Sequence, residues 1–209
     1  MSDSDLDSKA HWEGVYSQKR AEETSWHQDE PALSLALIQR SAIGRDAALI
    51  DIGGGASRLV DRLLALGYSD LTVLDLSAAA LRQAQERLGG RAAEVRWEVA
   101  DITRFEPGRP FALWHDRAVF HFITRPDDRR AYVDRLTQWV EPGGQVIIAA
   151  FAADGPRRCS GLDIVRYDAA KLGAELGGEF ILQEEQREIH LTPAGREQRF
   201  GFYRYRKVA

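Results

Sequence analysis

Residues 48–57 read Ala-Leu-Ile-Asp-Ile-Gly-Gly-Gly-Ala-Ser, and this stretch decides the fold. Its apolar part, Leu49–Ile52, predicts a short buried parallel strand that carries one carboxylate, Asp51. Three glycines follow. Apolar residues then recur with the period of an amphipathic helix at Leu59, Val60, Leu63, Leu64 and Leu66. A turn without Cβ atoms lets the backbone approach a ligand, so the pattern is typical of a nucleotide-cofactor corner in an α/β sheet. A tight turn with no ligand gives the same pattern.

A second acidic residue favours the ligand interpretation. The next apolar run ends in Asp75, about 20 residues after Gly53, which is the offset at which an acidic side chain meets ribose hydroxyls in such folds. The dinucleotide fingerprint fails at its third glycine, where Arg58 stands. A cofactor with hydroxyls, an amine and a cation fits better than a pyrophosphate beside three carboxylates, Asp51, Asp75 and Asp101.

The chain resembles the class I S-adenosylmethionine (SAM)-dependent methyltransferases at four motifs that occur in the family's order. The matching segments are Leu49–Ser57, Val73–Ser77, Val99–Ile102 and Glu141–Gly144. The resemblance covers roughly residues 10–207. One departure is Ser57, where many relatives carry glycine, and a subgroup with the pattern Gly-x-Gly-x-Ser-x-Leu shares it. The resemblance implies a single Rossmann-like α/β domain with a seven-stranded, mostly parallel sheet, an antiparallel last strand and helices on both faces.

The same resemblance implies SAM as the cofactor and S-adenosylhomocysteine (SAH) as the product. Asp75 would accept hydrogen bonds from the ribose, and Asp101 would accept one from the adenine amine, with Ile102 against the ring. The alternative for Asp101 is a cap on Thr103 and its turn. The predicted cofactor-binding residues are Tyr16, Trp26, Asp51, Gly53, Gly54, Gly55, Ser57, Asp75, Leu76, Asp101, Ile102 and His115.

The N-terminal segment offers three large aromatic side chains. Residues 1–9 are polar and predicted to be disordered, which leaves a methyltransferase domain at 10–209 whose first part, 10–30, forms a short helical lid. Trp12 and Tyr16 are four residues apart on one helical face, and Trp26 follows. In the family, such a helix and a following tryptophan often close the site, where aromatic faces attract a sulfonium. The alternative is that the three rings are core anchors.

The fourth predicted strand is followed by His115-Asp116-Arg117. Groups at the carboxyl ends of parallel strands face the ligand crevice, so Asp116 and His121 are the candidate catalytic bases. The alternative is that Asp116 pairs with Arg117 or Arg129 and that His121 is a core residue. A dedicated base is not required, because SAM carries an activated leaving group and in-line positioning supplies much of the acceleration.

An irregular stretch at 152–167 is rich in glycine, proline and arginine and is long for a connection in a compact domain. We expect it to lie over the crevice, where Arg157, Arg158 and Arg166 could meet an anionic acceptor. Solvated arginines are the alternative. Cys159 is the single cysteine, and a nucleophilic or metal-binding role is disfavoured because no second cysteine accompanies it.

Periodicity predicts the remaining elements. Strands are expected at 71–74, 95–99, 111–114 and 146–151, and helices at 78–88, 127–140 and 168–176. Two alternating runs, 180–189 and 198–207, are separated by a short turn that joins antiparallel strands. The resemblance makes them the sixth and seventh strands, with the last one inserted antiparallel.

Composition limits the partners. The 209 residues carry a net charge of −4, so no basic patch favours a nucleic acid. The acidic N-terminus is the opposite of a signal peptide, no apolar run approaches a membrane span, and a single cysteine is compatible with a reducing cytoplasm. No metal site is expected.

The acceptor is the least constrained part of the prediction. A closable lid and a loop over the crevice favour a small-molecule methyl acceptor. A protein lysine is the alternative, because the Gly-x-Gly-x-Ser-x-Leu turn and the His115-Asp116-Arg117 segment also look like a protein-lysine group of the same superfamily. A SAM-binding protein without catalysis, or an NAD(P)-binding module, is a third possibility, and the missing third glycine argues against NAD(P).

Overall fold

One mixed sheet organises the structure, a computed structural model that describes residues 3–208 and the side chains of residues 8–208. Its strands are β1 (Leu49–Ile52), β2 (Leu71–Asp75), β3 (Val95–Val99), β4 (Phe111–Arg117), β5 (Val140–Phe151), β8 (Phe180–Leu191) and β9 (Glu197–Lys207). Their order is β3-β2-β1-β4-β5-β9-β8. Strand β9 alone runs antiparallel to the other six strands, so the predicted seven-stranded sheet is confirmed.

Helices cover both faces of this sheet, as predicted. They are α1 (Asp3–Gln18), α2 (Ala32–Arg40), α3 (Leu59–Ala65), α4 (Ala78–Leu88), α5 (Pro126–Trp139) and α6 (Ala169–Leu176). One buried cluster joins α2 and α3 to the sheet through Leu37, Ile38 and Leu63, and a second joins α5 to the other face through Tyr132 and Leu136. None of the described helices is long and apolar enough to cross a membrane.

Local signals set several boundaries. Ser77 caps α4 by accepting from Ala80 N at 3.1 Å, and Asp168 caps α6 by accepting from Lys171 N at 2.8 Å. The predicted limits of β1, β3 and α4 match the structure. The apolar pattern placed the end of β4 at Trp114, but the strand continues to Arg117, because its polar end is buried and pairs with both neighbouring strands.

Two predictions, the disorder of residues 1–9 and the apolar face that includes Leu66, differ from the structure. Helix α1 extends back to Asp3, where the composition predicts disorder for residues 1–9, and Met1 and Ser2 lie outside the described residues. Leu66 fits the apolar period of α3 but is 39% exposed, because the helix has already ended at Ala65. The irregular stretch at 152–167, called the crevice loop below, contains a two-stranded hairpin of β6 (Arg158–Cys159) and β7 (Leu162–Asp163).

A buried polar network fixes the end of β4 against α5. Asp116 has no solvent exposure, and its carboxylate accepts from Val119 N at 2.9 Å and from Phe120 N at 3.1 Å. The Tyr132 hydroxyl donates to Asp116 Oδ2 at 2.7 Å and accepts from Trp114 Nε1 at 2.9 Å. Every member of this network has a partner, which is the condition for a buried polar network to stabilise a fold.

Removing the central hydroxyl tests this network. We expect Tyr132→Phe to lower the free energy of unfolding by about 1–3 kcal/mol, because Trp114 Nε1 loses its acceptor and Asp116 loses a donor. Urea denaturation measures the change. Tyr205→Phe is the matched control, since its hydroxyl is equally buried and has no partner among the described residues. Equal losses for the two variants would contradict a stabilising network.

Candidate active site

Two adjoining cavities lie where the carboxyl ends of the central strands meet. The larger has a volume of about 1310 Å³ including its open mouth, and the smaller about 540 Å³. Of the predicted site residues, the larger cavity is lined by Tyr16, Trp26, Gly53, Asp75, Leu76, Asp101, Ile102 and His121. The smaller is lined by Tyr16, Trp26, Asp51, Gly53, Gly54, Ser57 and His115. Gly55 and Asp116 line neither cavity.

The glycine turn packs tightly against the protein itself. Gly53 has a φ of +64°, and a Cβ atom there would lie 2.1 Å from Val119 Cγ2. Gly55 has a φ of +36°, and a Cβ atom there would lie 2.6 Å from Asp75 Oδ2 and 3.2 Å from Ala80 Cβ. From the sequence, we predicted that the glycines leave space for a cofactor. The structure adds a second cause at Gly55, where a side chain would displace the Asp75 carboxylate.

Asp75 is a buried carboxylate at the end of β2. It is 7% exposed, and its Oδ1 accepts from Ser77 N at 2.8 Å, which orients the group in the wall of the larger cavity. Burial raises the pKa of Asp75 to about 7, and the negative charges of Asp51 and Glu13 add to the rise. A ligand that donates hydrogen bonds here would favour the ionised form.

Asp101 and Ile102 form the part of the same cavity beyond β3. Asp101 Oδ1 accepts from the backbone N and the hydroxyl of Thr103, at 2.9 and 2.8 Å. The carboxylate therefore caps its turn and also lines the cavity, so the two alternatives drawn from the sequence are compatible. Ile102 is 5% exposed and gives this end of the cavity an apolar wall.

A buried chain of three polar side chains forms the back of the smaller cavity. Asp51 Oδ1 lies 2.7 Å from His115 Nδ1, and His115 Nε2 lies 2.9 Å from Ser34 Oγ. With the ring hydrogen on Nδ1, the Asp51 carboxylate accepts from Nδ1–H and Nε2 accepts a hydrogen bond from the Ser34 hydroxyl. Asp51 Oδ2 lies beside the turn, where a Cβ on Gly54 would approach it to 2.5 Å. The hydrogen bonds of His115 with Asp51 and Ser34 hold Asp51 in place at this turn.

The N-terminal aromatic residues cover the cavities in a layered arrangement. Tyr16 is buried, and its hydroxyl accepts from Trp26 Nε1 at 3.0 Å. Trp12 and Trp26 are half-buried, with ring centroids 5.5 Å apart and nearly perpendicular planes, and Trp12 also contacts Phe122. All three of the predicted aromatic residues line the larger cavity. Tyr16 therefore serves as an anchor, while the two tryptophans form the cover.

Helix α1 is fastened to the start of α4 by Glu13. Its Oε2 accepts from Ser77 Oγ at 2.7 Å and from Ala79 N at 3.1 Å, and these hydrogen bonds lower the pKa of the carboxyl group. Gln83 Nε2 adds hydrogen bonds to the carbonyl oxygens of Tyr16 and Lys19. The N-terminal segment thus belongs to the walls of the site.

The sequence between β1 and the start of β5 matches a known family. A family model described as a methyltransferase domain covers residues 49–144. This match and the sheet topology support the resemblance to the class I SAM-dependent methyltransferases. Over 158 residues it is 24% identical to the eEF1A lysine and N-terminal methyltransferase of Mus musculus, an alignment that covers 72% of this chain. The chain spans only 22% of that relative's length.

Solved methyltransferases share the fold. The N-methyltransferase NodS from Bradyrhizobium japonicum WM9, solved with SAH, superposes with a TM-score of 0.74 at 19% identity, covering 94% of this chain and 98% of NodS. The 1,6-didemethyltoxoflavin-N1-methyltransferase of Burkholderia thailandensis gives a TM-score of 0.70 at 21% identity, with 99% and 87% covered. At these identities the likeness establishes the methyltransferase fold.

The two candidate bases occupy different environments. Asp116 is sealed in the network with Tyr132, and burial raises its pKa to about 6. Since its side chain faces away from both cavities, the structure argues against a catalytic role, and the pairing with Arg117 or Arg129 is not seen either. His121 lines the larger cavity but is fully buried, and burial with the nearby Arg117 guanidinium lowers its pKa to about 3. Such an imidazole is a poor proton acceptor.

Residues that the sequence did not single out complete the larger cavity. Arg117, Phe151, Gln198 and Phe200 line it, whereas the three loop arginines do not. Arg158 and Arg166 bond instead to carbonyl oxygens of their own loop. Cys159 also lines the cavity, and burial raises the pKa of its thiol to about 11, which disfavours a thiolate nucleophile. Arg117 is the last residue of β4, so its position carried the strand-end signal that we assigned to Asp116 and His121 instead.

Substitution of Gly55 tests the crowding beside Asp75. We expect Gly55→Ala to lower the free energy of unfolding by roughly 2–4 kcal/mol, because steric overlap adds to the strain of a positive φ. Gly67→Ala is the matched control, since Gly67 has a φ of +83° but open space around its Cβ position. Strain alone predicts a loss of about 1 kcal/mol there. Urea denaturation compares them, and equal losses would refute the crowding.

Proposed function

We propose that the protein transfers the methyl group of SAM to a small-molecule acceptor. The observation that carries this proposal is the joining of a cofactor-type cleft to an aromatic chamber. Trp26, Gly53 and Arg117 line both cavities, so the strand-end cleft continues directly into the larger space. The chamber is covered by α1 and the crevice loop, an arrangement that suits an acceptor small enough to be enclosed.

The residues present fit the cofactor. Asp75 would hold the ribose hydroxyls, Asp101 and Ile102 the adenine, and Asp51 the ammonium of the methionine part, with Gly53 at the turn. The acceptor and donor types agree, because each carboxylate meets a group that donates hydrogen bonds or carries positive charge. Trp12 and Trp26 would face the sulfonium with aromatic surfaces.

Bound SAM would supply a methyl group attached to a sulfonium. Its leaving group is the neutral thioether SAH, which needs no acid to leave. The protein's own contribution is therefore to position the acceptor and to exclude water. His121 is held neutral by burial and serves as a hydrogen-bond donor rather than a base. This arrangement favours an acceptor atom that is nucleophilic without prior loss of a proton, such as a neutral amine nitrogen.

Protein lysine methylation is the second candidate. It is favoured by the match to the mouse eEF1A lysine and N-terminal methyltransferase. A lysine side chain is long and thin, and it would have to enter through the mouth of the larger cavity. The proposal for a small acceptor rests instead on the covering aromatic residues, which leave the acceptor enclosed.

Transfer from labelled SAM distinguishes these candidates. We expect the purified protein to bind SAM and SAH and to label at least one member of a panel of small amines, thiols, phenols and carboxylic acids. Purified eEF1A forms the protein arm of the same assay. Labelling of eEF1A alone would favour the alternative, and SAM binding with no transfer to any acceptor would indicate a binding protein without catalysis. Failure to bind SAM would refute the proposal.

Titration of Asp75 makes cofactor affinity depend on pH. In the free protein this carboxyl group is mostly protonated at pH 6 and mostly ionised at pH 8, because its pKa is raised to about 7. Ribose hydroxyls donate to the ionised form, so SAH should bind about tenfold more tightly at pH 8 than at pH 6. Calorimetric titration measures both affinities.

Asp75→Asn is the matched variant for this titration. We expect it to weaken SAH binding at pH 8 by roughly 1.5–3 kcal/mol and to lose the dependence on pH. The raised pKa also implies that the free wild-type protein loses stability as pH rises from about 4 to 7, since a buried carboxylate must form. The Asn variant should lack that part of the loss. An unchanged pH profile in the variant would exclude Asp75 as the group responsible.

We also propose that the protein acts in the cytoplasm without a nucleic-acid partner. The net charge of −4 supports the second part, because phosphate backbones bind basic surfaces. The single buried Cys159, which is unpaired, is compatible with a reducing compartment.

A further inference from the structure

His121 lines the larger cavity and carries an unsatisfied hydrogen-bond donor. The backbone N–H of Phe151 donates to His121 Nδ1 at 3.3 Å, so the proton of the neutral ring lies on Nε2. The side chain is fully buried, and Nε2 has no partner among the described residues. Buried polar groups in folded proteins are nearly always paired, so this N–H marks a place where a ligand atom accepts.

Arg117 provides a second donor on the same wall. Its guanidinium lies over the Phe200 ring, 4.9 Å from the centroid, and the His121 ring is 6.3 Å from the same centroid. Nη1 donates to the Trp26 carbonyl oxygen at 3.1 Å, while Nε is buried and without a partner in the described part of the chain. Glu188 Oε2 lies 3.6 Å from Nη2 and forms a loose ion pair with it. The same oxygen accepts a hydrogen bond from Gln28 Nε2. Arg117 therefore keeps donor capacity for a ligand.

The surroundings of these donors are aromatic and planar. The His121 ring stacks on Phe151, with centroids 4.7 Å apart and planes inclined by 23°, and Phe200 lies beside both. Gln198 adds a buried carbonyl oxygen, Oε1, that has no donor within the described residues. The wall thus offers two donors, one acceptor and flat apolar surfaces.

We propose that this wall, formed by Arg117, His121 and Gln198, binds the carboxylate of a small planar acceptor, with Gln198 receiving an N–H or O–H of the same molecule. This inference rests on the proposed function and names its substrate class. The wall suits no more than one negative charge, because it holds a single guanidinium and Glu188 already lies 3.6 Å from that group. A carboxylate has two oxygens and can accept from two separate donors, here Nε2–H of His121 and Nε–H of Arg117.

Binding of matched probes to the protein saturated with SAH tests this assignment. Anthranilate and anthranilamide share a ring and an amine but differ in the carboxylate, and ligand-observed NMR titration gives their dissociation constants. We expect anthranilate to bind at least about tenfold more tightly than the amide, the effect of one hydrogen bond to a charged group. His121→Phe keeps the ring on Phe151 and removes the donor, and it should weaken anthranilate binding by about tenfold while the affinity for SAH stays within about twofold.

Arg117→Met should weaken anthranilate binding further and abolish the preference over the amide. Arg157→Met is the matched control, because Arg157 is exposed on the crevice loop and lines neither cavity, and it should change nothing. Equal binding of acid and amide, no binding of either, or a preference that survives both variants would overturn the inference. Calorimetric binding of SAH to the wild type is measured in parallel. If SAH binds but anthranilate is not preferred over the amide, this inference fails and the proposed function stands. If SAH does not bind, the proposed function itself is refuted.

Discussion

The absence of room for a Cβ atom in the turn after β1 is the constraint on which the site depends. Gly53 approaches Val119, which follows β4, and Gly55 approaches Asp75 at the end of β2. The turn is thereby wedged between its two neighbouring strands, and the strand ends around it can converge on one cleft. A side chain at either glycine would push the turn away from the elements that carry Val119 and Asp75, both of which line the larger cavity.

Alternation along β4 distributes three consecutive polar residues between two faces. His115 and Arg117 point to the face that carries the small cavity, where His115 joins Asp51. Asp116 points to the opposite face and joins Tyr132 under α5. Successive side chains of a strand always divide in this way. A single triplet therefore supplies a histidine that lines the smaller cavity, a structural carboxylate and an arginine that lines both cavities.

Most helices and strands could be predicted from apolar periodicity and glycine positions, which are local signals, whereas the sheet architecture and the antiparallel last strand were implied by the family resemblance. The positions of Asp75 and Asp101 at the cavity were also predictable, because Asp75 ends β2 and Asp101 lies two residues after the end of β3. The role of His121 was not. Its tautomer is set by the backbone N–H of Phe151, a contact across 30 residues that no local pattern records. Glu13 escaped prediction for the same reason, since its partner Ser77 lies 64 residues away. The face of Asp116, by contrast, followed from strand alternation and could have been deduced.

Ser77 joins two parts of the molecule that ligand binding would affect together. Its backbone N–H orients Asp75, and its hydroxyl donates to Glu13 of α1. Docking of α1 brings a second negative charge near Asp75 and raises the proton affinity of that carboxyl group. By thermodynamic linkage, a ligand that favours ionised Asp75 and the docked helix must work against this repulsion, and protonation of Asp75 must in turn tighten the helix. The contact between α1 and the start of α4 is therefore linked to the charge state of Asp75.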